Sequence, residues 1–407
     1  MLITEWKKSL AILWSAQFIG MSAVTGVISF LPLYVPYLGV TNTAEVAMWS
    51  GILIGAAAFC AALSNPYWGA IADRRGRKPM VEKVLLMFGL IMITMAYAYN
   101  VYQLLALRIF QGLCGGFSAA ATALAVSMSP KDQISSTVGI FQTALIIGGA
   151  IGPMIGGLIA DYFGYRQPFI VFGVLCLLAL FIIHFAINEQ FTPVAKSETP
   201  SLRETLQYVW SLSDLKLMLL VQFLAQFAIQ SIGPILPLYI QAMDSNNANL
   251  ASISGTLIAI AGITSAMASV SMGILSNRFS HKQILITSSF LGGISFLGQL
   301  AASDIMTFAI LRAINGLCIG AMIPSSNTIV TYLIPESKRG AAFGITSGAA
   351  LMGNVLGPIS AGLMSLAFGI SSIFWVTSTF FLLVSILLFI QIKGTYTTHR
   401  DVNNASL

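Results

Sequence analysis

The chain has 407 residues, 57% of them apolar and only 8% charged, with a net charge of +6. A soluble domain carries roughly 25% charged residues, so this composition, with a mean hydropathy of +0.85, excludes a soluble enzyme. The basic excess is not a nucleic-acid signal, and no nucleic-acid partner is expected, because in a bilayer Lys and Arg mostly report orientation.

Taken in chain order, eleven stretches longer than 20 residues lack Asp, Glu, Lys and Arg: 9–44, 46–72, 84–107, 109–130, 133–160, 167–188, 217–243, 245–277, 283–303, 313–335 and 340–392. A bilayer-spanning helix needs about 20 apolar residues. The last stretch is long enough for two spans, with a hinge available at Phe368-Gly369. Twelve helices are therefore expected. The stretches are apolar all round, unlike the alternating strands of a barrel, and a helix satisfies its own backbone in lipid.

Twelve spans put both termini on one side. Of the 20 Lys and Arg, 17 fall there, while the opposite loops carry Arg166 beside Glu45, Asp161, Asp244 and Asp304. The positive-inside rule makes that side cytoplasmic. The first apolar stretch is too long for the core of a signal peptide. Cys60, Cys114, Cys176 and Cys318 all lie in spans, so no disulfide framework, metal site or cofactor is expected from them.

The chain repeats itself. Phe30–Val35 (FLPLYV) matches Ile235–Ile240 (ILPLYI) 205 positions on, Gln17 matches Gln222, and Gly152-Pro153 matches Gly357-Pro358. Arg108 with Gly112-Leu113-Cys114 matches Arg312 with Gly316-Leu317-Cys318 at an offset of 204, and Gly164 matches Gly369. Six spans per copy make the copies run parallel, as in one class of secondary transporter with its site near mid-membrane. The expected organisation is all-α and integral to the membrane: an N-terminal six-helix bundle (1–187), a cytoplasmic linker (188–213) with a surface helix near 201–212, a pseudo-symmetric C-terminal bundle (214–393) and a cytoplasmic tail (394–407).

Three motifs carry functional information. The loop after the second span reads Gly69-Ala70-Ile71-Ala72-Asp73-Arg74-Arg75-Gly76-Arg77-Lys78. A basic turn accounts for the arginines but not for the acid between glycines. Gly69 would permit close helix approach, and the Asp73 carboxylate would bond helix N-termini or guanidinium groups. Arg108 and Arg312 are the only Lys or Arg placed inside spans. A buried guanidinium in lipid is costly and points to function, against the alternative of snorkelling to the surface. The fifth span contains Gly148, Gly149, Gly152, Pro153, Gly156 and Gly157, small residues spaced for close packing around a proline.

These motifs resemble those of the major facilitator superfamily, and together they look like its twelve-span drug:proton antiporters, among them the MdtG-like multidrug exporters. The resemblance implies a conformational latch at Gly69, Asp73, Arg74, Gly76, Arg77 and Lys78. It implies proton coupling around Arg108, with Asp73 and Asp161 as carboxylate candidates, and an antiporter motif at Gly148, Gly152, Pro153, Gly156 and Gly157, which favours export. The second copy of the loop, Gly273–Ser280, lacks the acid, so the latch is expected in the first half.

Gln222, Gln226 and Gln230 recur every four residues and stack on one helix face. That face either lines a water-filled path or makes interhelical hydrogen bonds. With Gln17, Phe18, Arg108, Gln111, Phe141, Gln142, Arg312, Asn315 and Asn354 they form the candidate cavity lining, whose aromatic and amide character suits amphipathic or cationic organic molecules through stacking and cation–π contacts. No acid lies deep in a span, which weakens a simple proton relay and any strong preference for cations. His184, near the end of the sixth span, is an interfacial residue or a minor coupling candidate.

The expectation is a proton-coupled exporter of small amphipathic compounds, monomeric, in a bacterial inner membrane, rather than an enzyme. A dedicated exporter of one metabolite, such as a siderophore or sugar, is one alternative. A non-transporting receptor or scaffold is another. No G-x-x-x-x-G-K-[ST] loop suggests an ATPase.

Overall fold

The computed structural model describes residues 5–189, 212–244, 247–335 and 339–392, without the side chains of Glu5, Asp73 and Ala341. The surface helix expected near 201–212, save its last residue, and the tail 394–407 lie outside the described residues. Every regular element described is helical: α1 (Glu5–Gly26), α2 (Leu31–Tyr34), α3 (Thr43–Arg75), α4 (Arg77–Met95), α5 (Val101–Leu113), α6 (Phe117–Ser127), α7 (Ile134–Phe163) and α8 (Gln167–Ala186), followed by α9 (Ser213–Ile232), α10 (Leu236–Met243), α11 (Leu250–Leu275), α12 (His281–Ala301), α13 (Ile305–Leu333), α14 (Arg339–Phe368) and α15 (Ser372–Gln391).

These helices make twelve spans, because α1 with α2, α5 with α6, and α9 with α10 are broken single spans. Eleven are long and apolar enough to cross a bilayer. The remaining one, α4, opens with Arg77, Lys78, Glu82 and Lys83, whose charge dilutes an otherwise apolar helix. Polar side chains start several helices by accepting orphan amide protons. Asn42 accepts from Ala44 and Glu45, Asn100 from Gln103, and Ser280 forms a capping box with Gln283.

The repeat explains where spans break. Pro32 and Pro237 lack an amide proton and clash with the preceding turn, and each lies in the first turn of a restarted helix, α2 or α10. These repeat-related Leu-Pro-Leu-Tyr helices pack on each other. The fourth span breaks at Cys114–Gly116, with Gly116 at φ +95°. Its counterpart α13 runs unbroken, because Ile319 replaces Gly115 and helical continuity resumes. Prolines inside α3, α7, α13 and α14 do not interrupt them. The expected hinge at Gly369 is present, with φ +85°, and Gly164 matches it at +95°.

Packing divides the chain into two compact units: Met1–Lys196 with Gly233–Ala259, and Ser197–Ile232 with Ile260–Leu407. The first thus includes a segment that the repeat assigns to the second copy. In it α1 packs on α7, α4 on α8, and α3 on α5. Phe169 meets Phe30 edge-on at 5.1 Å and Tyr34 at 5.3 Å, and the Tyr34 hydroxyl donates to the Met95 carbonyl at 3.2 Å. In the second unit α9 packs on α14, and α12 on both α13 and α15.

Candidate functional site

The glycines of α7 serve two faces. Every fourth residue falls on nearly the same side of a helix, and Gly148, Gly152 and Gly156 all face α1. A Cβ at Gly148 would lie 2.9 Å from the Phe18 carbonyl, and one at Gly152 would lie 2.8 Å from the Ser22 Cα. At Gly156 it would overlap the Gly26 carbonyl. The other face meets the start of α11: a Cβ at Gly157 would overlap the Ala251 carbonyl, and one at Gly255 would overlap the carbonyl of Pro153. Only hydrogen at these positions lets the backbones come so close. One turn past Gly157, the Asp161 carboxylate accepts from the Ala251 amide at 3.2 Å, the Ser252 amide at 2.7 Å and the Ser252 hydroxyl at 2.5 Å. It caps α11, where anions are favoured by the orphan N–H groups.

The loop between α3 and α4 is a tight reversal at Gly76, whose φ of +103° suits glycine. Here the residue that sequence reading missed is Glu189. Its carboxylate accepts from the Arg77 amide at 2.9 and 3.0 Å and from the Lys78 amide at 2.8 Å, capping α4. A lone acid just after an apolar span is a weak signal, which is why it was read as the start of the linker. Lys78 donates to the His184 carbonyl at 2.8 Å and lies 3.5 Å from Glu82, which also sits 3.2 Å from His184 Nδ1. His184 therefore belongs to a surface cluster. Arg74 is exposed. The close approach expected at Gly69 is not made, since a Cβ there meets nothing within 4 Å. Instead α3 approaches its neighbour at Gly112 of α5, where a Cβ would lie 2.8 Å from Cys60 Cβ.

Arg108 and Arg312 are 4% and 5% exposed, so neither snorkels to a surface. Arg108 donates to Gln111 Oε1 at 3.0 Å, one turn on along α5. Gln17 donates to Ser118 at 2.9 Å, tying α1 to α6, and Gln222 donates to Asn327 at 2.8 Å, tying α9 to α13. Ser118 and Asn327 were not singled out beforehand, although Ser325-Ser326-Asn327-Thr328 is a conspicuous polar run inside an apolar span. Phe141 is buried, Phe18, Gln226, Gln230 and Asn354 are half-buried, and Gln142 is exposed. Gln226 and Gln230 lie against α14, their Cβ atoms 2.9 and 3.3 Å from where Cβ atoms at Gly353 and Gly357 would stand.

The family model of the Major Facilitator Superfamily matches residues 13–254 and 218–405. The chain belongs to this superfamily. It is 34% identical over 377 residues to the multidrug resistance protein MdtG of Escherichia coli O1:K1 and of strain K12 / DH10B, covering 92% of each chain. In fold it is similar to a bacterial homologue of the human lysosomal transporter Spinster, in an inward-facing and occupied conformation. That match has a TM-score of 0.80 at 15% identity and covers 96% and 97% of the two chains. A D-xylose–proton symporter matches at TM-score 0.72 and 14% identity, covering 96% and 98%.

Proposed function

We propose that this multi-pass membrane protein is a secondary active multidrug exporter, moving small amphipathic organic compounds by alternating access and driven by inward proton flow. The observation that carries the reading is the likeness to MdtG across 92% of the chain, with the α7 glycine seam intact. A seam without side chains between backbones suits helices that must pack tightly and then part.

The proposed setting is a bacterial inner membrane, with both termini and the Gly76 loop cytoplasmic, a monomer without catalytic activity. Gly69–Lys78 acts as the conformational latch, Arg108 as the centre of proton coupling, and the buried amides as cavity lining. Two experiments test this. Whole-cell accumulation across chemically different compounds should fall on expression, and proteoliposomes should take part in counterflow that an imposed pH gradient accelerates. Export of a single compound only would retire the multidrug reading, and gradient-insensitive flux would retire the proton coupling.

A further inference from the structure

Trp68 stands where three helices meet. It directly precedes the loop Gly69–Lys78 on α3, and it touches the broken end of α5, the helix that carries Arg108. The fourth span stops at Leu113 and restarts at Phe117. In a continuous helix the Gly112 and Leu113 carbonyls would accept from the amides of Gly116 and Phe117. The break removes both bonds, and a carbonyl left unpaired inside a bilayer is costly. Ser64 and Trp68, one turn apart on α3, supply replacements. The Ser64 hydroxyl donates to the Gly112 carbonyl at 3.0 Å, which also takes the Gly115 amide at 3.0 Å. The Trp68 indole N–H donates to the Leu113 carbonyl at 2.7 Å.

The break itself is closed tightly. A Cβ at Gly115 would stand 2.7 Å from Asn65 Oδ1, and one at Gly116 would stand 2.9 Å from both Trp68 Cβ and Met80 Cε of α4. Lys83, one turn on from Met80, lies over the indole with Nζ 2.8 Å from the ring centroid, a cation–π contact. That Nζ is buried and has no hydrogen-bond partner among the described residues, so the ring face is what it meets. Helix α4 begins at Arg77 and Lys78, the far end of the same loop. Both helices that leave the loop therefore bear on one rigid ring, and moving α4 against α3 displaces the N–H that holds α5.

The second copy serves as an internal control. At the offset of 204, Met272 replaces Trp68, Ala268 replaces Ser64, Thr287 replaces Lys83 and Ile319 replaces Gly115. There α13 runs unbroken. The break and the side chains that bridge it occur together in one copy and are missing together from the other.

We propose that Trp68 is a positioning residue that joins the Gly76 loop to the Arg108 helix, so that a rearrangement at the loop reaches α5 through the indole. This rests on the exporter reading, in which the loop is the latch and Arg108 the coupling centre, and it supplies the link between them.

Cys114, in the break and 6% exposed, is the reporter. The full chain keeps it as the only thiol, with Cys60, Cys176 and Cys318 changed to Ala, and is alkylated by N-ethylmaleimide in lipid nanodiscs without substrate or gradient. Trp68→Phe keeps a ring under Lys83 and deletes the N–H. It should raise the alkylation rate about five- to tenfold, the worth of one hydrogen bond. Lys83→Met, which leaves the N–H in place, should raise it about threefold by the loss of the cation–π contact. A double-mutant cycle reads the connection. Glu189 caps α4 at Arg77 and Lys78, so Glu189→Gln loosens the loop. It should raise the rate about threefold in the parent chain, as a weakened charge-assisted cap, and leave it unchanged on top of Trp68→Phe or Lys83→Met. Two independent destabilisations would instead add. Lys83→Met carries the cycle if Trp68→Phe is not monodisperse.

An alkylation rate unmoved by Trp68→Phe and Lys83→Met would overturn the proposal. So would a Glu189→Gln effect of equal size with and without the indole N–H. A chain that shows this coupling yet fails in counterflow would overturn the exporter reading and leave the connection standing.

Discussion

Asp161 and Ser252 are bound through both the backbone and the side chain of the serine: one carboxylate oxygen takes the Ser252 amide at 2.7 Å and its hydroxyl at 2.5 Å. The other oxygen takes the Ala251 amide at 3.2 Å. With the flanking contacts at Gly157 and Gly255, this makes a short seam between α7 and the start of α11. Asp161→Ala removes every acceptor and leaves α11 uncapped, a loss of about 1–3 kcal/mol for buried donors left unsatisfied. Asp161→Asn keeps one acceptor oxygen and should fall between. Thermal unfolding of the purified variants measures this, and wild-type stability for Asp161→Ala would show that the cap contributes nothing.

The same carboxylate is felt by Tyr165 in the following loop. Burial first, then the negative charge of Asp161 and the Tyr37 phenol, push the Tyr165 hydroxyl up to about 12. A raised folded value means the fold favours the neutral phenol, so this stabilisation is complete below about 10. It is lost as pH rises through about 12, so it is fully present at neutrality and gives stability no pH dependence there. Asp161→Asn should lower the tyrosine's ionisation midpoint, read by ultraviolet difference titration against Tyr165→Phe. An unmoved midpoint would mean that the Asp161 charge does not reach the ring.

Substitutions along the α7 glycines should separate by position rather than by size alone. At Gly156 even a methyl group meets the Gly26 backbone, while at Gly149 the nearest atom is the flexible end of Met21, 3.5 Å away. Gly156→Ala should cost about 1–3 kcal/mol, as overpacking does, and Gly149→Ala should be close to neutral. Gly152→Leu should block transport altogether, since Ser22 Cα leaves no room. Transport by Gly152→Leu at the wild-type rate would show that the α1–α7 contact is dispensable.

At the Gly76 loop, Asp73→Asn should impair transport while leaving insertion and folding intact, consistent with a latch. Glu189→Gln should loosen the start of α4, because a charged cap becomes neutral at three contacts. Faster backbone exchange at Arg77 and Lys78 would report it. Unchanged transport in Asp73→Asn would remove the latch assignment, and unchanged exchange in Glu189→Gln would remove the cap.

Much of this was legible because bilayer physics is simple. Runs without charge located the spans, whereas the Leu-Pro-Leu-Tyr repeat announced the duplication but not that the first and seventh spans break there. The glycine register anticipated close packing, but its second face, toward Ala251 and Ser252, was invisible, because the partner lies some 90 residues away and carries no local signature. Glu189 was lost for a similar reason: its role depends on a fold that returns the end of α8 to the start of α4. Gly69 was misplaced because a small residue permits close approach without requiring it. The polar partners Ser118 and Asn327 are ordinary residues whose importance appears only when a glutamine is found beside them.

The two buried arginines should differ in what they control. Arg108 donates to Gln111 in the half that retains the acidic loop and the full glycine-proline motif, whereas Arg312 Nε is buried without a hydrogen-bond partner. A guanidinium does not release its proton at physiological pH, so under the proposed coupling Arg108 would act as a fixed charge that positions a water or carboxylate whose proton affinity changes with conformation. Arg108→Ala should abolish export driven by a pH gradient while preserving some substrate binding. Arg312→Ala should be milder in the same assay. Proton uptake and substrate efflux measured together in proteoliposomes separate these outcomes. If both variants transport normally under an imposed gradient, neither arginine takes part, and coupling must be sought at Asp73 or Asp161.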